Sequence, residues 1–287
     1  MARQALSPAT IRSYDLAVAK FKAFLKNHGQ SWDAVNEHSV LAYLFYLHQE
    51  NCAASTIAAT LSALAFELKI QGLPDYTKNF KISQLLVAMR KMGGNSDRRK
   101  PITPNILSKL VESLSYLSIS HYERVMFKAI FLCSFAFALR LGEYTESPHT
   151  LLLNNISISA FSLQITFSSF KHSSGNDLLS HTFEASFSAS CPVLALNNYL
   201  QLRGTLEGPL FILNGKAIPK TLFSKILRQA VSFIGLPPAC FTSHSFRIGA
   251  TTTWAQQGVS EVVIRRRGRW KNSAAMAKYI RMSVSHN

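Results

Sequence analysis

The sequence predicts an α+β fold that is predominantly α-helical: a helical N-terminal domain, then a helical C-terminal domain carrying a small antiparallel β-sheet. Three observations carry that expectation. Apolar residues recur at helical spacing through about the first hundred residues. The stretch Gly93-Gly94-Asn95-Ser96-Asp97-Arg98-Arg99-Lys100-Pro101, glycine-rich and then basic, interrupts that pattern. Beyond it, Ile156-Ser157-Ile158-Ser159 and Leu163-Gln164-Ile165-Thr166-Phe167 alternate apolar and polar residues with the period of two of half-buried strands.

Ser7-Pro8 opens the first helix, over 7–27, because serine caps the free amides and proline suits the first helical position. Ile11, Tyr14, Val18, Phe21 and Leu25 then share one face. Further helices are expected over about 39–49, over 54–71 up to Gly72, and over 82–92 up to Gly93-Gly94. The N-terminal domain is therefore read as 1–95, a basic linker as 96–102, and the second domain as 103–287. Thr103-Pro104 starts a helix to about Leu117, and a strongly apolar helix over about 122–139 follows. His181-Thr182-Phe183-Glu184 is a third strand, after which helices return over 193–202, 221–233, 245–257 and 273–281.

With 47% hydrophobic and 16% charged residues, the 287-residue chain buries enough apolar surface to fold, and no long polar tract reads as disordered. Lys and Arg total 31 against 15 Asp and Glu, a formal charge of +16 and a pI of about 9.9. Such a charge implies a polyanionic partner, and nucleic acid and an anionic membrane both satisfy it. A merely soluble basic protein satisfies it as well. Cys52, Cys133, Cys191 and Cys240 are scattered without zinc-ligand spacing, so neither a metal site nor a disulfide framework is expected, and reduced thiols are. Residues 1–14 hold no apolar signal core and no stretch is apolar for about 18 residues, so the expectation is neither secretion nor membrane insertion.

The chemistry-bearing residues cluster toward the C-terminus. Ser243-His244-Ser245-Phe246-Arg247-Ile248-Gly249-Ala250-Thr251 is followed by Gly268-Arg269-Trp270 and then Ala277-Lys278-Tyr279-Ile280-Arg281. Trp270 lies nine positions before Tyr279, and Arg247 lies 23 before Trp270. This ordered set resembles the C-terminal signature of the tyrosine recombinase, or integrase, family, and its wording is nearest to the crypton and DIRS-like recombinases of eukaryotic mobile elements. Ala138-Leu139-Arg140-Leu141-Gly142-Glu143 is similar to the family's earlier Arg-x-x-Glu element, and the turn Phe167-Ser168-Ser169-Phe170-Lys171-His172 to its lysine-bearing turn. The motif resemblance covers about 103–281, while the N-terminal helices match the family's core-binding, DNA-binding domain only by position and pattern.

Chemistry explains why these residue types belong together. Moving a phosphodiester onto a protein hydroxyl requires a nucleophile, donors for the nonbridging oxygens and a proton for the departing oxygen. The resemblance makes Tyr279 the nucleophile. Arg140 and Arg247 can clamp the oxygens with forked guanidiniums, His244 can take the tyrosyl proton or bond the phosphate, and Trp270 can donate its indole N–H. Lys171 is the expected general acid, with Lys220 and Lys225 as rivals, and Glu143 would orient the arginine clamp. Taken singly, each residue has an ordinary reading: Arg140 and Glu143 as a helix ion pair, Lys171 as a solvated turn residue, His244 and Trp270 as packing groups. Joint occurrence in one order and spacing favours the site.

Arg265, Arg266, Arg267 and Arg269, with Arg98, Arg99 and Lys100 of the linker, are expected to contact DNA phosphates, although a solvated charge run reads the same way. The resemblance implies double-stranded DNA as partner, a homo-oligomeric, tetrameric synapse on it, and no cofactor, no metal and no membrane. Localisation would be nuclear in a eukaryote and cytoplasmic in a bacterium. A type IB topoisomerase and a catalytically idle recombinase descendant are the alternatives; the length and the Gly-Arg-Trp element favour a recombinase, and no catalytic position is lost.

Overall fold

The computed structural model describes residues 2–92, 97–168, 178–186 and 188–281. The chain divides into two compact units, Met1–Asp97 and Arg98–Asn287. Among the described residues the first holds the α-helices α1 (Pro8–Asn27), α2 (Glu37–Gln49), α3 (Ala54–Ile70) and α4 (Phe80–Met92). Ser7 starts α1 by accepting the Thr10 amide at 3.2 Å, with Pro8 in the first turn. Asn36 starts α2 by accepting the Ser39 amide at 3.1 Å, so this helix begins two residues before its apolar periodicity does. The core of this unit gathers Phe21, Leu25, Tyr43, Leu44, Ile57 and Leu68, and the Phe21 ring meets Phe24, Trp32 and Tyr43.

The second unit holds α5 (Pro104–Ser113), α6 (His121–Ala136), the single turn α7 (Leu141–Tyr144), strands β1 (Ile156–Ile158), β2 (Ser162–Phe167) and β3 (Leu179–Glu184), and α8 (Pro192–Arg203). A small hairpin, β4 (Ile212–Leu213) and β5 (Lys216–Ala217), leads to α9 (Lys220–Phe233), α10 (Ser243–Gln256), α11 (Glu261–Gly268) and α12 (Ser273–Ala277). The sheet is antiparallel in the order β1-β2-β3, with Ile165 opposite both Ile156 and His181. Leu163, Ile165 and Phe167 are fully buried, as the period of two requires. The fold is therefore α+β and predominantly helical.

Helix α6 runs through the centre of this unit, with Met126, Phe127 and Ala129–Cys133 all buried. It starts with a capping box in which Ser120 and Glu123 satisfy each other's backbone amides. Its apolar pattern predicts continuation to Leu139, but the helix stops at Ala136. Ala138 adopts a left-handed φ of 44°, and the Leu139 amide closes back on the Ser134 carbonyl at 3.0 Å. The β4–β5 hairpin was not expected either, although Asn214-Gly215, with φ of 52° and 75°, is the sequence signal of a two-residue hairpin turn.

The segment read as a linker, 96–102, does not behave as one from Arg98 onward. The Lys100 amide donates to the Cys240 carbonyl at 2.8 Å and the Ile102 amide to the Ser245 carbonyl at 3.0 Å, and Ile102 is fully buried. Helix α10 approaches this segment so closely that a Cβ on Gly249 would overlap the Ile102 carbonyl oxygen. Gly249→Ala is therefore expected to destabilise the second unit by about 2 kcal/mol or more, as overpacking against unyielding backbone does. Gly258→Ala meets open space but has a φ of +76°, and should cost only about 1 kcal/mol. Urea unfolding of both variants measures the contrast, and equal losses would contradict it.

Candidate active site

Two helix C-termini and one helix N-terminus converge in the second unit. At the end of α6, Ala138 turns left-handed; at the end of α11, Arg269 does the same, with φ 57° and ψ 46°. Both turns leave carbonyl oxygens that no helical amide satisfies. Guanidiniums satisfy them instead. Arg247 donates from Nη1 to the Ala138 carbonyl and from Nη2 to the Gly268 carbonyl at 2.8 Å. Arg140 donates from Nη2 to the Arg269 carbonyl at 2.7 Å. The negative ends of two helix dipoles thus face the arginines, the favourable polarity.

Helix α10 sets the opposite side. Thr242 caps it, accepting the His244 amide at 3.2 Å, so His244 lies in the exposed first turn and Arg247 in the buried turn behind it. Arg247 is 1% exposed, and its guanidinium lies beneath two rings, 4.5 Å from the Trp270 centroid and 5.3 Å from that of Tyr279. The Tyr279 hydroxyl is 3.4 Å from His244 Nδ1, and the Trp270 and Tyr279 centroids are 5.2 Å apart. Arg140, His244, Arg247, Trp270 and Tyr279 therefore occupy one place.

Tyr279 is not on a helix, although one is expected over 273–281. Helix α12 ends at Ala277, and Tyr279 follows in a turn, its amide on the Met276 carbonyl at 2.8 Å. Thr252 of α10 fastens that turn, donating to the Tyr279 carbonyl at 3.4 Å and accepting the Arg281 amide at 3.1 Å. A small apolar cluster of Ala138, Ala250, Trp254, Ile264 and Met276 holds α10, α11 and α12 together behind the site. Gly268 cannot be larger, because a Cβ there would overlap the Trp270 ring.

Glu143, 2% exposed, is the one carboxylate in this cluster among the described residues. Its Oε2 accepts from Arg269 at 2.6 Å and from the Arg140 amide at 2.8 Å, and its Oε1 pairs with Arg140 at 3.2 Å. Burial works to raise its pKa, but Arg269, Arg140 and Arg247 outweigh burial and hold it below the ordinary carboxylate value. Burial, then the repulsion of Arg140 and Arg269, pushes Arg247 down to about 9, so it stays charged at neutral pH.

The expected basic surface is divided. Arg266 and Arg267 are exposed at the last turn of α11 and Arg265 is half-buried, while Arg98 and Lys100 are exposed and Arg99 is half-buried. Arg269 is not part of that surface. Its side chain is fully buried against Glu143 and the ring of Phe167, so the expectation of a solvent-facing phosphate contact is corrected. Helix α11 itself was not expected, since only Ile264 and Gly268 are buried in it and three arginines mask any apolar stripe. Lys220 and Lys225 line an open groove of about 550 Å³ along α9 with Arg228, whose lining includes none of the tyrosine-site residues. Lys171 lies outside the described residues.

His181 of β3 is a neighbour that sequence reasoning passed over. Burial, reinforced by Arg269, Arg266 and Arg267, pushes it down to about 4, so it is neutral at pH 7, and its ring meets Phe167 edge-on at 5.9 Å. Phe167 in turn carries Arg269 at 3.9 Å, which ties the end of β2 to the site.

Comparison with known proteins bears on the fold around this site. Residues 1–65 match the phage integrase N-terminal SAM-like domain. Among solved structures, the XerH site-specific recombinase in a post-cleavage complex with palindromic difH substrate matches with a TM-score of 0.70 and 15% identity, covering 96% of this chain and 77% of that one. A lambda integrase(75-356) dimer bound to a COC' core site matches with a TM-score of 0.66 and 13% identity, covering 98% and 92%. The Tn1549 transposon integrase in complex with circular intermediate DNA matches with a TM-score of 0.65 and 13% identity, again covering 98% and 92%. No curated protein matches the sequence. The chain has the fold of the tyrosine recombinases. The resemblance to the phage-integrase-like members of that family, carried in the sequence by its C-terminal motifs, thus extends to the N-terminal domain and the architecture.

The buried carboxylate yields a test of the cluster. A carboxylate whose folded pKa is depressed contributes stability above its unfolded value of about 4.3, and loses it as pH falls through the lower folded value. Glu143→Gln leaves Arg269 buried without its counter-charge and should cost about 3–5 kcal/mol at pH 7. Urea unfolding at pH 7 and near pH 3 should show the gap between wild type and variant narrowing in acid. A gap independent of pH would contradict the assigned ion cluster.

Proposed function

We propose that this protein is a site-specific DNA recombinase that breaks and rejoins strands through a 3′-phosphotyrosyl bond to Tyr279, serving integration or excision of a mobile element. One observation carries the reading: the Tyr279 hydroxyl meets the His244 imidazole at 3.4 Å directly over the buried Arg247 guanidinium, with Arg140 alongside. Tyr279 Oη attacks the phosphorus and passes its proton to His244. The phosphorus–5′-oxygen bond breaks, and the 5′ oxygen takes a proton from Lys171, assigned to this step from its sequence setting. A free 5′-hydroxyl attacking the phosphotyrosine reverses the sequence and rejoins the strand.

The donor inventory supports the clamp. A guanidinium has five N–H groups, and among the described residues Arg247 donates to two carbonyls while its Nε meets no acceptor. Donors remain for a phosphate, and Arg140, whose side chain is 21% exposed, supplies more from the accessible side. The Trp270 and Tyr279 rings cover Arg247, so in this proposal a phosphate reaches it as the Tyr279 turn opens. The formal charge of +16 and the exposed Arg98, Lys100, Arg266 and Arg267 suit a DNA backbone, and the matched XerH, lambda and Tn1549 proteins are themselves DNA complexes. Assembly as a tetrameric synapse belongs to the same proposal.

Exchange of one phosphodiester for another is nearly isoenergetic, and guanidiniums supply the charge stabilisation, so cleavage is expected to proceed in EDTA and without ATP. Trapping on nicked duplex and peptide mapping should place the adduct on Tyr279, and Tyr279→Phe should eliminate it. An adduct on Tyr199, or a strict magnesium requirement for cleavage, would refute the mechanism.

The proton donor is tested separately. Lys171→Ala should cleave ordinary DNA about a hundredfold more slowly, within the range general acids contribute, and recover on a substrate with sulfur at the 5′ bridging position, because a thiolate leaves without a proton. A variant equally slow on both substrates would transfer that role to another residue, with Tyr279 and the arginines unaffected.

A further inference from the structure

The ordinary residue at a left-handed helix C-terminus is glycine, and a larger residue there costs about 1 kcal/mol. Arg269 occupies such a position, and its side chain shows what offsets the cost. It turns inward, 0% exposed, donating from Nη1 to the Phe137 and Arg267 carbonyls at 3.2 and 3.1 Å. From Nη2 it reaches the Ala138 carbonyl at 3.3 Å and Glu143 Oε2 at 2.6 Å, while its face lies 3.9 Å from the Phe167 ring. It is too deep to touch a DNA phosphate.

Both expected clamp arginines depend on what Arg269 holds. The Ala138 carbonyl that accepts from Arg269 also accepts from Arg247, and the carbonyl of Arg269 itself accepts from Arg140. Glu143 is shared as well: Arg269 and the Arg140 amide occupy Oε2, so the Arg140 guanidinium meets the carboxylate only through Oε1, at the longer distance of 3.2 Å. A carboxylate freed from Arg269 would turn both oxygens on Arg140, the geometry in which a carboxylate binds a guanidinium most strongly. That pairing would consume the donors a phosphate needs.

We propose that Arg269 is a positioning residue for strand cleavage: by occupying Glu143 and the Ala138 carbonyl, it keeps Arg140 and Arg247 free to receive the scissile phosphate. The inference rests on the recombinase reading given above. It assigns to Arg269 an effect on the cleavage rate and none on DNA affinity, and it makes the effect run through Glu143.

The full-length chain is compared with Arg269→Gln, Arg269→Lys, Glu143→Gln and the double variant Glu143→Gln/Arg269→Gln. Melting temperature, affinity for a duplex and single-turnover adduct formation are measured on each. Arg269→Gln should bind DNA within about threefold of wild type yet form adduct about a hundredfold more slowly, the scale of losing one transition-state donor. The double variant should form adduct at least about tenfold faster than Arg269→Gln, because a neutral amide cannot seize Arg140 and the carboxylate that Arg269 answered is removed together with it. Arg269→Lys, keeping a cation beside Glu143, should fall between wild type and Arg269→Gln, and it carries the comparison with the double variant if Arg269→Gln does not fold. The proposal is overturned by wild-type cleavage in a folded Arg269→Gln chain, by loss of affinity in parallel with rate, or by a double variant slower than both single variants. Absence of any Tyr279 adduct with the wild-type chain would instead remove the recombinase reading itself, a result that the variants cannot produce.

Discussion

Three guanidiniums and one carboxylate are packed into the second unit, and the burial of that much charge is the constraint from which its architecture follows. Arg247 and Arg269 are nearly or fully buried, as is Glu143. Isolated charges removed from water would cost far more than a domain's net stability, so each must be answered by counter-charge or by oriented dipoles. One carboxylate cannot answer three cations. The remaining compensation comes from backbone carbonyls, and the chain exposes them by ending α6 and α11 in left-handed turns at Ala138 and Arg269. The same carbonyls that would be orphans at a helix end become acceptors for Arg140, Arg247 and Arg269.

This arrangement also fixes where the reactive groups stand. The guanidinium of Arg247 cannot move without losing the Ala138 and Gly268 carbonyls, and the Trp270 ring rests on it and against Gly268. Tyr279 is held less firmly, by Thr252 and a single turn beyond α12. A rigid floor of buried guanidinium thus lies beneath a tyrosine on a lightly anchored turn, an arrangement that suits the strand exchange proposed above. Preorganised donors need not reorganise when charge develops, which is the physical advantage of building the floor from buried arginines.

The cluster also links the sheet to the site. Phe167 stands at the end of β2 under the face of Arg269, and His181 packs against Phe167 from β3. Burial keeps His181 neutral beside three arginines, so the strand pair adds no further positive charge to a site already rich in it. The strand pattern of Leu163, Ile165 and Phe167 thus serves both the core and the arginine cluster.

The sequence by itself determined much of the local structure and which residues gather around Tyr279. Helix starts at Ser7 and Thr103 follow from side chains that accept nearby amides, strands from a period of two, and the His244, Arg247, Trp270 and Tyr279 set from motif order. Those signals are local, spanning a few residues or a fixed spacing, so a linear reading captures them. Only the tertiary structure decided where α6 ends, that Arg98–Ile102 docks on α10 rather than linking freely, and that Arg269 faces inward while Arg266 and Arg267 face water. The reason is distance along the chain. The Ala138 carbonyl and the Arg269 guanidinium are separated by 131 positions, and a run of arginines has the same composition whether its side chains meet solvent or a buried carboxylate. The direction each one takes is set by the carbonyls and the carboxylate that other elements bring within reach.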